Sequence, residues 1–302
     1  MSSATLLKQG SLAVVAALAL GLGCGDGTGP GLPLEIPTAI AFDSDRFGNR
    51  DVFVLWPDGR LTQVTEDRAY DMMADWSPDG QLIAFASDRD GNSEVYVADS
   101  DGSNLRNLTN HPAADAYPDW SPDGSKILFH SDRAGIWDIW LMNTDGSEPV
   151  NLTADLEGDQ IYAAWSPDGA QIAYESNEAG STDIYVANAD LSEPRQLTDT
   201  EGFEGRPAWS PDGTRIVFQS EGAAGYDISV INADGSDRHS LAQDPAPEGL
   251  PAWSPDGNWI AYSVLFGGND SEVYLIRPDG SEATNLTRHR AFDAWPDWRP
   301  LP

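Results

Sequence analysis

One five-residue string, Trp-Ser-Pro-Asp-Gly, returns at a nearly constant interval along the chain. It begins at Trp76, Trp120, Trp165, Trp209 and Trp253, and a shortened copy, Trp298-Arg299-Pro300, ends the series. Consecutive tryptophans of this set are therefore 44 or 45 residues apart. A fixed period of this length indicates a repeat architecture, in which each copy is one small unit that packs against its neighbours.

Each period contains the same succession of short apolar segments and turns. The string itself is a turn, because Pro fixes φ, Asp bonds nearby backbone and Gly accepts a positive φ. A strand such as Ile83-Ala84-Phe85 follows directly, and the next strand opens on an acid, as in Glu94-Val95-Tyr96-Val97. An Asp-Gly turn, a strand ending in Leu-Thr and the tryptophan segment complete the set. Four short strands per period, without helical periodicity, predict the blade of a β-propeller.

The two ends of the repeat predict how the ring closes. The segment Ala39-Ile40-Ala41-Phe42 matches the strand after the turn, but no tryptophan strand precedes it, and the chain finishes its last tryptophan strand at Trp298. Pairing that last strand with the three N-terminal strands would complete a sixth blade and leave no unpaired edge. We therefore predict an all-β, six-bladed propeller over residues 38–302, with four antiparallel strands per blade. A β-solenoid, whose repeats are much shorter, is the alternative.

The N-terminus has the pattern of an export signal. Lys8 precedes an apolar run at residues 11–22, which is too short to span a bilayer comfortably but suits a signal peptide over residues 1–23. The single cysteine of the chain, Cys24, follows the run and resembles the modified cysteine of a bacterial lipobox, although Gly21 stands where that motif prefers Leu. The resemblance implies lipid attachment at Cys24. Cleavage nearby with secretion, or a retained anchor, are the alternatives.

Residues 24–37 contain many Gly and Pro and predict a flexible tether between a membrane and the propeller. The expected location is the bacterial cell envelope, with the chain exported and lipid-anchored in the periplasm or at the outer membrane. The lipid is the only membrane contact that we expect, and the propeller is expected to be a monomer.

The overall charge restricts the partners. The formal net charge is −32, and Lys8 and Lys126 are the only lysines. Such an acidic surface repels nucleic acid and anionic lipid headgroups, so a nucleic-acid function is excluded. It suits a basic partner or a cation, although solubility and turn chemistry explain much of the acidity.

The repeat resembles that of a known family. Trp-Ser-Pro-Asp-Gly, then Ile-Ala-Phe, Ser-Asp-Arg, Asp-Ile-Tyr-Val, Asp-Gly-Ser and Leu-Thr are similar to the TolB-type, WD-like propeller repeat over about residues 38–300. The resemblance implies a protein-binding platform in the bacterial envelope, or a domain that gates an enzyme. TolB itself carries an α/β domain before its propeller. The short tether here implies a member with the propeller alone.

The expected function is therefore non-catalytic binding of an envelope protein or peptide. A polysaccharide- or peptide-processing lyase or hydrolase is the alternative from another class, and a structural module in a larger assembly is the third. The chain has no Gly-x-Ser-x-Gly motif, and its four histidines fall at different points of the repeat, so neither a serine triad nor a histidine-based metal site is predicted.

One acid precedes every tryptophan of the repeat by five residues, or by six in the third copy. These acids are Asp71, Asp115, Asp159, Glu204, Glu248 and Asp293. Pseudo-symmetry would place them as a ring around one mouth of the central channel, where they could dock a basic segment or hold Ca²⁺. The alternative is a structural role at each blade, as a cap of the local turn or a bond to the next blade. No other cofactor is expected.

Other repeated side chains have a packing interpretation. The tryptophans of the repeat are expected to wedge between blades, and Arg46, Arg89 and Arg133 of the Ser-Asp-Arg loops are expected to pair with nearby carboxylates. Four aromatic residues lie near the predicted acid ring in sequence. They are Tyr70, Tyr117, Phe203 and Trp295. Aromatic rings at a channel mouth could contact a peptide or a sugar, and core packing is the alternative.

Overall fold

The computed structural model of the protein describes residues 35–222, 225–241, 246–267 and 270–301. Within these ranges the chain forms 24 strands in six four-stranded antiparallel sheets and no helix. The first strands of the sheets contact one another in a closed circle. The predicted six-bladed propeller is confirmed. The predicted signal peptide, Cys24 and most of the predicted tether lie outside the described residues.

The strands of each blade run from the channel to the rim. The first strands are β4 (Asp71–Trp76), β8 (Asp115–Trp120), β12 (Gln160–Trp165), β16 (Glu204–Trp209), β20 (Glu248–Trp253) and β24 (Asp293–Trp298). The second strands are β5 (Leu82–Ser87), β9 (Lys126–Ser131), β13 (Gln171–Ser176), β17 (Arg215–Glu221), β21 (Ile260–Gly267) and β1 (Ile40–Ser44). Blades one to six are numbered in this order.

The two outer strands of each blade follow the same order. The third strands are β6 (Glu94–Asp99), β10 (Asp138–Asn143), β14 (Asp183–Asn188), β18 (Tyr226–Asn232), β22 (Asp270–Ile276) and β2 (Asp51–Leu55). The fourth strands are β7 (Arg106–Asn107), β11 (Val150–Asn151), β15 (Arg195–Gln196), β19 (His239–Ser240), β23 (Thr284–Asn285) and β3 (Leu61–Gln63). The fourth strands are mostly two residues long, as suits an edge that must not pair with another chain.

Blade six is built from both ends of the chain. Strand β24 pairs with β1, and Ile40 lies opposite Trp298 while Ser44 lies opposite Asp293. Beyond the ladder, the backbone N–H of Arg299 donates to the carbonyl of Ala39 at 2.9 Å. The closure predicted from the ends of the repeat is therefore confirmed.

The Ser-Pro-Asp-Gly turn joins the first and second strands of a blade. In blade one the Ser77 hydroxyl donates to Asp79 at 2.7 Å, and the Gly80 N–H donates to the Ser77 carbonyl at the same distance. The φ of Gly80 is +65°, which a residue with a Cβ adopts at a cost. Hydrogen bonds from the Ser77 hydroxyl, the largest cause, and from the backbone N–H of Gln81 hold the pKa of Asp79 below its usual range.

The hydrophobic core lies between blades. Trp76 and Phe85 of blade one pack in one cluster with Val52 and Val54 of blade six. The same arrangement recurs around the ring, and the repeated tryptophans are buried except for the half-buried Trp165. Their predicted wedge role is confirmed. Burial of each of these large rings removes apolar area from water and ties neighbouring blades together.

Two faces of the disc differ in their connections. The turns after each first strand and each third strand lie on one side, which we call the turn face. The hairpins between second and third strands, and the connections that lead into the next first strand, lie on the other side, which we call the loop face. Among the residues that the structure describes, no helix has the length and apolarity to span a bilayer.

Candidate functional site: the central channel

Five of the six predicted acids occupy one equivalent position. Each of these five opens a first strand at the loop face, and each is at most 1% exposed: Asp71, Asp115, Glu204, Glu248 and Asp293. The sixth, Asp159, lies one residue before β12 and is half-buried, and Gln160 takes the buried position instead. Trp120 and Trp165 are 45 residues apart, and the additional residue places Asp159 six residues before its tryptophan instead of five.

Arginines pair with four of the five acids that open a first strand. Arg133 Nη2 lies 2.7 Å from both carboxylate oxygens of Asp115, and Arg46 Nη2 lies 2.8 Å from Asp293 Oδ1. Pairs of the same kind join Arg89 to Asp71, at 2.9 Å, and Arg238 to Glu204. The predicted pairing of the Ser-Asp-Arg arginines is therefore confirmed.

These contacts give the paired acids a structural role within each blade. Arg133 Nε also donates to the Ser131 hydroxyl at 2.9 Å, and its guanidinium lies 4.7 Å from the centre of the Trp140 ring. The binding role predicted for the six acids stays a prediction. In this structure the carboxylates with arginine partners face the protein interior.

Every first strand has a β-bulge at its third residue. The register shifts there in all six blades, and the third residue has a φ between +53° and +60°. These residues are Met73, Tyr117, Tyr162, Arg206, Leu250 and Trp295. Left-handed backbone at a residue other than glycine costs about 1–2 kcal/mol, so a sixfold occurrence indicates a built feature. The bulge turns these side chains into the channel.

Four of the bulge residues meet across the channel, and we call them the channel cluster: Tyr117, Tyr162, Arg206 and Trp295. The ring centres of Tyr117 and Tyr162 are 4.1 Å apart, and those of Tyr117 and Trp295 are 4.9 Å apart. The Tyr162 hydroxyl donates to the Tyr117 hydroxyl at 2.8 Å. Burial raises the pKa of Tyr117 well above its ordinary value, so its phenol keeps its proton.

Arg206 completes the cluster beside Tyr162 and Trp295. Its guanidinium carbon lies 5.2 Å from the Tyr162 ring centre and 5.4 Å from that of Trp295, while those two rings are parallel within 4° and 6.4 Å apart. Cation–π contacts of this length stabilise a desolvated guanidinium. The sequence placed Tyr117 and Trp295 near the channel but missed Tyr162 and Arg206. Counting three residues back from each repeated tryptophan would have found all four.

A layer of buried polar side chains supports the cluster from behind. Each member lies on a second strand, opposite the second residue of the first strand of its blade: Asp43, His130, Glu175, Gln219 and Ser263. The N–H of Arg206 donates to Glu175 at 3.2 Å, and the N–H of Trp295 donates to Ser263 at 3.3 Å. The His130 ring lies 4.6 Å from that of Tyr117. Sequence reasoning missed this layer, because one polar residue at the end of an apolar strand is ordinary.

Burial changes the titration of this layer. It lowers the pKa of His130 to about 3 and raises that of Glu175 to about 7, where the charge of Arg206 opposes the rise. It raises the pKa of Asp43 well above its usual range, against the charge of Arg50, whose Nη1 lies 3.7 Å from Asp43 Oδ2. His130 is therefore neutral at physiological pH.

Three further carboxylates lie at the fifth position of the first strands in blades six, one and two. Asp297 accepts the Trp76 N–H at 3.0 Å, Asp75 accepts the Trp120 N–H at 2.8 Å, and Asp119 accepts the Trp165 N–H at 3.0 Å. Each bond joins one blade to the next. The other three blades have Ala164, Ala208 and Ala252 at this position.

These three carboxylates are half-buried along the channel wall but are removed from bulk water. That desolvation raises the pKa of Asp119 to about 8 and that of Asp297 to about 7, and it raises the pKa of Asp75 well above its usual range. Mutual repulsion with Asp297 adds to the shift of Asp75. Protons therefore remain on much of this trio near neutral pH.

A cavity of about 160 Å³ lies in the channel, lined by the third to fifth residues of all six first strands. The channel cluster and the three aspartates both contribute to its wall. Its lining also includes proline at the fourth position in four blades, which keeps the wall rigid. The described residues contain no group of three or more His, Cys, Asp or Glu placed to hold a metal ion.

The other two predicted aromatics lie on the loop face. Tyr70 is 52% exposed and borders a depression that includes Arg50 and Phe292. Phe203 packs against Tyr226 with ring centres 5.4 Å apart. The Phe203 ring centre also lies 6.0 Å from the guanidinium carbon of Arg206, so Phe203 borders the channel cluster, whereas Tyr70 lies on the loop face away from it.

These features define a six-bladed β-propeller with a blocked, aromatic-lined channel. The sequence pattern of the family described as the TolB beta propeller domain matches residues 59–161 and 150–244. These matches cover more than half of the chain, and the protein belongs to this family.

Solved structures agree on the fold. TolB from Acinetobacter baumannii is 22% identical with a TM-score of 0.77, over 89% of this chain and 68% of that one. A putative TolB from Agrobacterium tumefaciens is 21% identical with a TM-score of 0.69, over 87% and 99% of the two chains. An oligogalacturonate lyase from Vibrio parahaemolyticus is 14% identical with a TM-score of 0.56, over 82% and 74%. A comparison with curated proteins finds no match.

Proposed function

We propose that this protein is a non-catalytic binding platform of the bacterial cell envelope, and that it binds a protein or peptide on its loop face. Membership in the TolB propeller family and the signal-like N-terminus support the location. The observation that carries the proposal is the set of exposed apolar side chains on that face. Large exposed apolar side chains gathered on one side of a soluble domain mark interaction sites.

Six large apolar residues protrude from the loop face. Phe47 is 69% exposed, Tyr70 52% and Phe266 50%, and Ile136, Tyr226 and Leu265 are each about 40% exposed. They belong to hairpins between second and third strands, or to a connection into a first strand, in five different blades. Because such residues supply much of the energy at protein interfaces, a partner that covers this face would bury several of them together.

Exposed acids lie at most blades of the loop face, including Glu66, Asp67 and Asp88 beside blade one, whereas exposed basic side chains are few and are concentrated in one connection. Around blades three and four the exposed loop residues are acidic, namely Asp155, Glu157, Glu178, Asp199, Glu201 and Glu221. At blade six, on the opposite side of the ring, Arg288, His289 and Arg290 are exposed. A partner with the complementary division of charge would be held in one orientation. The apolar residues would supply affinity and the charges would supply orientation.

Several observations favour binding over catalysis. The histidines lie in separate blades, and the one in the channel wall, His130, is buried without a charge. The channel aspartates are occupied as acceptors of backbone N–H groups. The likeness to a lyase is one of fold.

Substitution of the loop-face residues tests the proposal. The triple variant Phe47→Ser, Tyr70→Ser, Phe266→Ser is compared with a matched control, Leu61→Ser, Leu105→Ser, Val150→Ser, whose residues are also exposed but lie toward the outer strands. After cross-linking in envelope preparations, the partner captured by wild type should be lost by the first variant and kept by the second. Its affinity is then measured with purified proteins. Equal capture by both variants would exclude the loop face.

Lipid anchoring at Cys24 has a separate test. Metabolic labelling with a palmitate analogue should mark the wild-type chain and leave Cys24→Ser unlabelled and released from membranes. An unlabelled wild type in the soluble periplasmic fraction would contradict lipid attachment and favour simple secretion.

A further inference from the structure

Arg206 is a channel arginine without a carboxylate partner. Among the described residues no acid lies within ion-pair distance of its guanidinium, whereas Arg46, Arg89, Arg133 and Arg238 each hold a buried acid. Arg206 Nη1 donates to the amide oxygen of Gln219, and its buried Nε has no hydrogen-bond partner. In a chain with 49 acids and 17 basic residues, an unpaired guanidinium in the interior is unexpected.

The aromatic surroundings of Arg206 raise the free-energy cost of leaving its charge without a carboxylate. The guanidinium carbon lies 5.2 and 5.4 Å from the ring centres of Tyr162 and Trp295 and 6.0 Å from that of Phe203, so aromatic rings cover part of its surface. A desolvated charge is costly until it is paired and hydrogen-bonded. Glu175 accepts the backbone N–H of Arg206 and not its side chain, although the charge of Arg206 does oppose the rise of the Glu175 pKa. An anion that enters the channel would therefore find a cation already in position.

The cavity beside Arg206 suits a small anionic group. Its volume of about 160 Å³ is similar to that of an engineered cavity of about 150 Å³ that admits benzene. It can hold one small organic group, such as an aromatic side chain or the last residue of a peptide. The walls supply aromatic and proline surface for the apolar part of that group.

The acids on the far wall do not oppose an anion below neutral pH. Burial raises the pKa of Asp119 to about 8 and that of Asp297 to about 7, with Asp75 also raised. A protonated carboxyl can donate a hydrogen bond to a carboxylate, which an ionised one cannot. Below neutral pH the channel therefore favours an anion, although the net charge of the chain is strongly negative.

We propose that the channel cavity is a binding site for a carboxylate-bearing group, in which Arg206 supplies the counter-charge and Tyr162 and Trp295 flank the ligand. This site goes beyond the docking function of the loop face and does not depend on it. It also reverses the expectation of a basic ligand that the acid-rich sequence raised.

Three small molecules of one shape and different charge test the proposal. Benzoate, benzamide and benzamidinium are titrated against the full protein at about pH 6 by ligand-observed NMR. Benzoate should bind in the low millimolar range, benzamide at least tenfold more weakly, and benzamidinium not measurably. Tighter binding of benzamidinium than of benzoate would overturn the proposal, because it would show that the aspartates dominate the cavity.

Variants locate the binding to this arginine. Arg206→Gln should lower benzoate affinity at least tenfold, to the level of benzamide, while Arg68→Gln at an exposed position should not change it. If Arg206→Gln fails to fold, Ala208→Leu provides a second test, because it retains the arginine and fills the cavity. Unchanged benzoate binding in a folded Arg206→Gln or Ala208→Leu variant would overturn the assignment.

Two further probes distinguish the source of the carboxylate. The tripeptide Gly-Gly-Phe is compared with its C-terminal amide. Binding of the free acid alone supports a peptide chain end as ligand, whereas binding of benzoate and neither peptide supports a free small carboxylate. Inorganic phosphate that displaces benzoate with equal affinity would overturn the carboxylate assignment. Loss of partner capture in the loop-face variant with intact benzoate binding would show that the two sites are separate.

Discussion

Two sets of acids on the same strands differ in what surrounds them. The first-position acids, such as Asp115, are paired with arginines at the loop face. The fifth-position acids, Asp75, Asp119 and Asp297, lie four residues further along and accept only backbone N–H groups. Four acids of the first set have an arginine partner, whereas the second set has none and desolvation raises its pKa values. The repeat therefore fixes where an acid stands, while side chains from other strands decide which groups surround it.

Deletion of residues 291–302 should have the largest effect on both sets. It removes strand β24, which carries Asp293 of the first set and Asp297 of the second, and it opens blade six. The exposed edge of β1 and the lost Trp298 wedge should lower Tm by about 10 °C or more, or prevent folding. Differential scanning calorimetry measures this change. A truncated chain with the wild-type Tm would mean that β24 does not close the ring.

Arg133→Gln should have the next largest effect, through the first set alone. It leaves the fully buried carboxylate of Asp115 without its guanidinium, and breaking a buried pair in this way costs about 3–5 kcal/mol of unfolding free energy. Chemical denaturation measures it. The double variant Arg133→Gln, Asp115→Asn should recover much of the loss, because no uncompensated charge remains, and Arg68→Gln should match wild type. A single variant as stable as wild type would contradict the structural role of the pair.

The second set should make stability fall as pH rises. Because the folded-state pKa values of these acids are raised, their contribution is full below the unfolded pKa of about 4 and is lost progressively as pH rises toward the folded values of about 7 and about 8. Tm should therefore decline by several degrees between about pH 5 and about pH 8.

Replacement of the trio separates its contribution from that of other groups. In the variant Asp75→Asn, Asp119→Asn, Asp297→Asn each amide oxygen can still accept its backbone N–H, and the decline of Tm with pH should become much shallower. Asp43 and Glu175 have raised pKa values of the same direction and would leave a smaller slope. A variant with the full wild-type slope would assign the pH dependence elsewhere.

An acid outside both sets should show the smallest effect and the opposite sign. In the turn of blade four, the Ser210 hydroxyl is the largest of the hydrogen bonds that lower the pKa of Asp212 to about 2. Its contribution is present above the unfolded pKa of about 4 and is lost as pH falls toward about 2. Asp212→Ala should lower Tm by only a few degrees at pH 6 and by less in acid. A Tm difference that grows toward low pH would contradict this assignment.

The fold could be predicted because each strand boundary is encoded locally. Ser77, Asp79 and Gly80 make the same turn wherever their string occurs, so its count gave the blades and the unmatched ends gave the closure. The pairing of Arg133 with Asp115 was also predictable, because the loop and the acid flank the same blade. Asp159 showed the limit of counting, since one inserted residue moved it out of the buried position that Gln160 occupies.

The period, the six blades, the tryptophan wedges and the turn chemistry could be predicted from the sequence, because they depend on contacts within a blade or between adjacent copies. Which side chains meet across the channel became visible only in the folded ring. Arg206, Tyr162 and Trp295 stand on blades four, three and six, and the bulge at each third residue turns them toward one another. Contact among these three side chains requires closure of the ring and a left-handed backbone at each bulge. Neither can be predicted from a short stretch of sequence. The channel site that we propose follows from that contact.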